Sequence, residues 1–133
     1  MVKITDEMKE VAEKGKIWAI ATVSKDGIPN VVPVGTVRVL SDDELLIVNN
    51  FFKKTEENLN ANPDKVAVSI WGIGKGFQFK GEARIETSGS IYDEGLQMVR
   101  AKNPQRSPKS VVVMKVKSIY STTPGPDAGN KLS

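Results

Sequence analysis

Apolar and polar positions change rhythm several times along this chain, and each change marks an element. From Thr5 to Lys14 the apolar residues Met8, Val11 and Ala12 recur at helical spacing, with Thr5 placed to cap the helix and Gly15 to end it. Ile17 to Val23 is a mostly apolar run of strand formers, and Ser24-Lys25-Asp26-Gly27 carries the Asp-Gly signal of a hairpin. Asn30 to Leu40 reads as one second strand with interruptions at Pro33 and Gly35. Proline cannot donate to a ladder and glycine weakens one, so the pair predicts a bulge or a close approach of a ligand to the backbone.

Ser41-Asp42-Asp43 makes a turn, and Glu44 to Asn49 forms the third strand. A helix from about Thr55 to Asn62 follows, closed by Asn62-Pro63. Lys65 to Trp71 alternates as a strand should, Gly72 to Gly76 is a flexible hairpin loop, and Phe77 to Glu86 is the fifth strand. Ser90 opens a third helix with Tyr92, Leu96 and Val99 at helical spacing. Lys102 to Pro108 is a basic, proline-containing loop, and Ser110 to Tyr120 is the last strand. The tail beyond it has no core pattern. Short turns and sequential hairpins predict a mainly β fold, a six-stranded antiparallel β-barrel with short flanking helices, in one domain over residues 1–133.

Composition narrows the chemistry. The 133 residues include no cysteine and no histidine. Disulfides, thiolate zinc sites, cysteine nucleophiles, Ser-His-Asp triads and histidine metal sites are therefore excluded. Any chemistry would be carried by a cofactor. The formal charge of +3 suits an anionic ligand and equally a weak nucleic-acid binder. No apolar run approaches the roughly 20 residues of a membrane span, and the polar start lacks a signal-peptide pattern, so the expected location is cytoplasmic.

One stretch resists a purely structural reading. In Asn49 to Leu59, NNFFKKTEENL, Lys53 and Lys54 stand at the start of a helix, where unpaired N–H groups and the helix dipole favour anions. Two lysines, the Thr55 hydroxyl and those N–H groups can surround a phosphate. A solvated turn, with Thr55 as cap and Glu56 and Glu57 offsetting the lysines, is the plainer alternative. Arg38 sits on the face of the second strand that could reach the same phosphate, or could pair with an acid across the strands. Phe51 and Phe52 beside the lysines suit a planar ligand or a subunit interface. Phe77 and Phe79 would share one face of their strand, as core or as a platform for bases.

The order of elements, with PVGTVRVLSDDELLIVNN, KKTEENLNANPDKVAVSIW and GFQFKGEARI, resembles the FMN-binding split-barrel family. That family includes the pyridoxamine 5′-phosphate oxidases and the small bacterial FMN-binding proteins, and the likeness is closer to the latter. It runs from about Ile17 to Tyr120. The resemblance implies a split β-barrel that binds FMN. Lys54 and Thr55 would hold the flavin phosphate with Lys53 beside them and Arg38 reaching in from the second strand. Val32, Pro33, Val34 and Gly35 would lie along the isoalloxazine ring, and Val48 and Asn49 beside the ribityl chain or ring edge. It further implies a homodimer with the flavin at its interface, where Gly76 and Phe77 of the second subunit complete the site.

The chain also departs from the oxidases. They carry basic and histidine residues near the C-terminus for the substrate phosphate, and a glutamine at the start of the fifth strand, where Gly76 falls here with Gln78 displaced. These departures argue against vitamin B6 oxidation, and the lack of histidine argues against histidine-ligated haem; a deazaflavin is used in other branches. The expected function is electron transfer or a small flavin-dependent oxidoreductase, with an unnamed redox partner. A basic β-barrel binding single-stranded nucleic acid through Phe77, Phe79 and the lysines is the alternative. A structural dimer without cofactor is a third reading.

Overall fold

The computed structural model describes residues 2–133. Helix α1 (Asp6–Gly15) begins as its sequence requires: Thr5 is the N-cap, and its hydroxyl accepts from the Met8 N–H at 3.3 Å. Met8, Val11 and Ala12 form its buried face. It ends at Gly15 as expected, but the residue that turns the chain is the next one. Lys16, not Gly15, takes the positive φ of 63°. Gly15 serves close approach instead, because a Cβ there would lie 2.2 Å from the Trp71 carbonyl oxygen.

The strands are β1 (Trp18–Val23), β2 (Pro29–Val34), β3 (Val37–Val39), β4 (Glu44–Asn49), β5 (Val66–Gly72), β6 (Lys75–Glu86) and β7 (Ser110–Ser121). All pairings are antiparallel, in the order β2-β1-β5-β6-β7-β4-β3. The fold is the mainly β, split-barrel type, with seven strands rather than six. The extra one comes from Asn30 to Leu40, which is not a single strand. It breaks at Gly35-Thr36, leaving β2 on β1 at one edge of the sheet and β3 on β4 at the other. Two residues adjacent in sequence thus join opposite edges and curl the sheet into a shell. The Val48 N–H donates to the Thr36 carbonyl at 3.0 Å and pins the bend to β4.

Ile20, Val34, Leu45, Ile47, Val68, Ile70, Phe79, Met114 and Ile119 fill the interior. Phe77 and Phe79 are both in this core, 5% and 0% exposed, and so offer no platform to a nucleobase. Trp18 closes one end, its indole N–H donating to the Ala12 carbonyl at 3.0 Å. β5 alternates buried and half-buried positions because its outer face is open, whereas β4 is buried on both faces from Leu45 to Asn49. The cause is helix α3 (Ser90–Lys102), which packs on the outside of β4 and β7 over Leu46, Val48, Val111 and Val113. That is why β4 reads Leu-Leu-Ile-Val without alternation.

The Gly72–Gly76 region is tighter than a flexible loop. Gly72 pairs with Lys75, and the two central residues, Ile73 and Gly74, have φ of 50° and 77°, as a type I′ turn demands. The tail doubles back along β7: Leu132 N–H donates to the Ile119 carbonyl at 2.7 Å, and Ser121 N–H to that of Asn130 at 2.9 Å.

Candidate functional site

Helix α2 (Lys54–Ala61) is short, and polar side chains dock it. Thr55, Asn58 and Asn62 share one face. Asn58 donates to the buried Thr22 hydroxyl at 3.0 Å, and Asn62 to the carbonyls of Val23 and Ser24 at 3.1 and 3.0 Å. Thr55 is not the N-cap. It lies inside the first turn, 2% exposed, where its hydroxyl accepts from the Asn30 amide at 3.0 Å. The cap position is Lys53, and no side chain caps it. The first intrahelical bond is Glu57 N–H to the Lys53 carbonyl at 3.1 Å. The N–H groups of Lys54, Thr55 and Glu56 therefore have no partner within the helix.

The preceding turn is braced from below. Asn49, 1% exposed, donates to Ser110 Oγ and Glu56 Oε2 at 3.1 Å each, and its Oδ1 accepts from the Phe52 N–H at 2.8 Å. Lys109 donates to the Phe52 carbonyl at 2.6 Å and lies 3.6 Å from the Glu56 carboxylate. Glu56 is thus held by Asn49 and Lys109 and does not offset the two lysines. Lys53 and Lys54 have no ion-pair partner among the described residues.

Between this turn and the free edge of β2 lies a cavity of about 410 Å³, within the usual range of small-molecule sites. Val32, Pro33, Val34 and Gly35 form one wall, Val48 the floor, and Lys53, Lys54 and Thr55 the basic end. Pro29 and Pro33 have no N–H, so their side of β2 faces away from the β1 ladder, and Val31 shares that side. Asn30, Thr36, Asn50, Phe51 and Phe52 complete the lining. The Oδ1 of Asn50 is buried without a hydrogen-bond partner, a position that a donor on a ligand would explain. The ring of Phe51 is 74% exposed, with the Arg106 guanidinium 4.7 Å from its centroid.

Eight residues expected at a binding site therefore meet in one cavity: Val32, Pro33, Val34, Gly35, Val48, Lys53, Lys54 and Thr55. Two others, Asn49 and Arg38, lie elsewhere, and Gly76 and Phe77, expected to reach the site from a second subunit, stand apart from it within the one chain. Asn49 sits beneath the turn as its brace. Arg38, on β3, forms an ion pair with Glu94 of α3 at 2.5 Å. Gly76 uses both backbone groups within its own chain, donating to Thr123 Oγ1 at 3.1 Å and accepting from the Thr122 N–H at 2.9 Å. Phe77 is core. Asn30 and Asn50 were not singled out by the sequence; an amide directly after Gly27-Ile28-Pro29 and another after a strand end carry no periodic signal.

An open-seamed antiparallel barrel, with a cavity between an edge strand and a basic, uncapped helix start, is the architecture of a split-barrel protein. The chain belongs to the pyridoxamine 5′-phosphate oxidase family, whose description its residues 4–123 match. It is 37% identical over 136 residues to an uncharacterised protein of Methanocaldococcus jannaschii, covering 100% of this chain and 90% of that one. HupZ of Group A Streptococcus is similar at 28% identity with a TM-score of 0.81, covering 95% of this chain and 99% of that one. An FMN-binding protein of Syntrophomonas wolfei shares the fold at 16% identity and a TM-score of 0.65, covering 87% and 89%. Among the described residues no helix is long and apolar enough to cross a membrane, and no group of three acidic, histidine or cysteine residues could hold a metal ion.

Proposed function

We propose that the cavity binds FMN and that the protein works as a flavoprotein in electron transfer or as a small oxidoreductase. The observation that carries this reading is the pair of uncompensated cations, Lys53 and Lys54, at an uncapped helix start that opens into the cavity. The family and the FMN-binding structural relative support it. Lys54, the Thr55 hydroxyl and the free N–H groups of the first turn would hold the phosphate, with Lys53 beside them. Val32 to Gly35 would line the ring, and Val48 would fix its depth. The bound flavin would supply the redox chemistry, and the chain would bind, orient and shield it. No side chain lining the cavity is a carboxylate or an imidazole, so the chain's part is to bind and place the flavin. A homodimer with the flavin at its interface fits the exposed Phe51 and the exposed Val31 on β2.

The test is the absorption spectrum of the purified protein, with the mass of whatever denaturation releases. Oxidised-flavin bands and the mass of FMN are expected; the mass of a deazaflavin would keep the cavity and change the cofactor. A colourless protein that takes up neither would defeat the reading. Lys54→Ala should weaken FMN binding about tenfold or more, the scale of one charge-assisted hydrogen bond, with thermal unfolding of the flavin-free protein unchanged.

A further inference from the structure

A second cavity, of about 590 Å³, opens on the other side of the Gly35-Thr36 bend, between the C-terminal half of α1, the start of β1 and strand β3. Its floor is apolar: Ala12, the buried Trp18, Val37 and Val39. Its rim is cationic, with Lys9, Lys16, Arg38 and Lys102 against a single carboxylate, Glu13. Two of these cations are already matched outside the cavity. Lys9 pairs with Asp42 at 2.7 Å, and Arg38 with Glu94 at 2.5 Å. Lys16 makes no hydrogen bond or ion pair among the described residues. Lys102 bonds only neutral oxygens, the Gly35 carbonyl at 3.0 Å and Thr36 Oγ1 at 3.3 Å. Lys16 and Lys102 against Glu13 leave one positive charge in excess.

The backbone at Lys16 adds an independent observation. Its φ of 63° with ψ of −38° is a conformation that a side-chain-bearing residue rarely adopts. The contact of Gly15 with the Trp71 carbonyl holds the chain there, and so sets where Lys16 leaves it. Strain of this kind persists where the surrounding structure over-determines it, and such positions cluster at ligand sites.

We infer that this second cavity binds a small organic monoanion, an apolar carboxylate whose body lies on Trp18, Val37 and Val39 and whose charge is met by Lys16 and Lys102. Gly35 belongs to the wall of both cavities, so the bound carboxylate stands beside the ring end of the first. Its binding does not depend on which cofactor that cavity takes.

The experiment is an NMR titration of the full chain with benzoate, and with benzamide as a neutral molecule of the same shape. Saturable shifts of the Trp18 indole N–H and the Val37 and Val39 amides are expected with benzoate, and much weaker ones with benzamide. Lys16→Gln should weaken benzoate about three- to fivefold, the scale of one exposed charge. Its side chain is exposed and bonds nothing else, so this variant remains informative even where Lys102→Gln disturbs the bend. Equal binding of benzamide, absence of saturation, an unchanged affinity in Lys16→Gln, or shifts confined to residues 48–55 would each overturn the inference.

Discussion

Replacing Gly95 with alanine sets two effects of known sign against each other. In the middle of a helix, alanine is favoured over glycine by about 0.8–1.0 kcal/mol. Gly95, however, is where α3 touches the sheet. A Cβ there would lie 2.3 Å from Val111 Cγ1 and 3.3 Å from Val48 Cγ2. Ordinary carbon contacts need about 3.5–4.0 Å, so the nearer pair must separate by well over 1 Å. Val111 is 0% exposed and Val48 4%, and both are β-branched, with little rotamer freedom to yield. The helix must rise from the sheet, loosening Val99 against its neighbours. Overpacking of this kind costs about 1–3 kcal/mol. With a separation of this size packing outweighs propensity, and Gly95→Ala should be destabilised by up to about 2 kcal/mol net. Urea unfolding should show a lower midpoint with an unchanged slope. The double variant with Val111→Ala should be less destabilised than the sum of its parts by at least about 0.5 kcal/mol, since the clash is shared. A Gly95→Ala protein as stable as the parent, or more so, would show that helix propensity governs this site and that the close packing is not what sets the helix–sheet distance.

Two further outcomes test other parts of the structure. Tyr92 Oη donates to the Pro108 carbonyl at 2.8 Å and ties down the loop that brings Arg106 and Lys109 to Phe51 and Phe52. Tyr92→Phe should cost about 1 kcal/mol, and amide exchange should quicken in residues 103–109 and 50–53; unchanged protection there would refute the anchoring role. Hydrogen bonds from Lys9 and Lys115 hold the carboxyls of Asp42 and Asp43 below their ordinary value of 3.8, and raise both lysines above 10.5. A depressed carboxyl stabilises the fold above its unfolded value, and that contribution is lost as pH falls through the folded one. Melting temperature should therefore fall on acidification below about pH 4, and less steeply in Asp43→Asn. The raised lysines lose the same pairs as pH rises past 10.5. Parallel acid limbs for parent and Asp43→Asn would contradict this account.

Much of the fold was legible because it rests on local signals. Thr5 and the Met8, Val11, Ala12 face specify α1, and the apolar Leu45 to Val48 run marks β4 as a strand. What escaped depends on partners far along the chain. Pro33 and Gly35 announce an irregularity, but only the sheet order distinguishes a bulge from a strand that leaves one edge for the other. Gly15 reads as a helix stop and is one, but its close approach to the Trp71 carbonyl was not visible in the sequence. At the site, the basic helix start and the β2 wall were visible as residue types at fixed spacing. Arg38 was not separable from them, because its partner Glu94 lies on α3. Thr55 was identified as a polar group at the helix start, but its burial against Asn30 requires β2 and α2 to meet.

The bend at Gly35-Thr36 has a further consequence, for solubility. It joins the two strands whose outer edges are unpaired, β2 and β3. Both are poor templates for adding another chain, one carrying Pro29 and Pro33 and the other only three residues long with a charged Arg38 at its centre. By dividing one run of residues into two edge strands, the bend puts the prolines on one border and leaves the other too short to extend, so the irregularity that adjoins both cavities also blunts both open edges against pairing with a second copy.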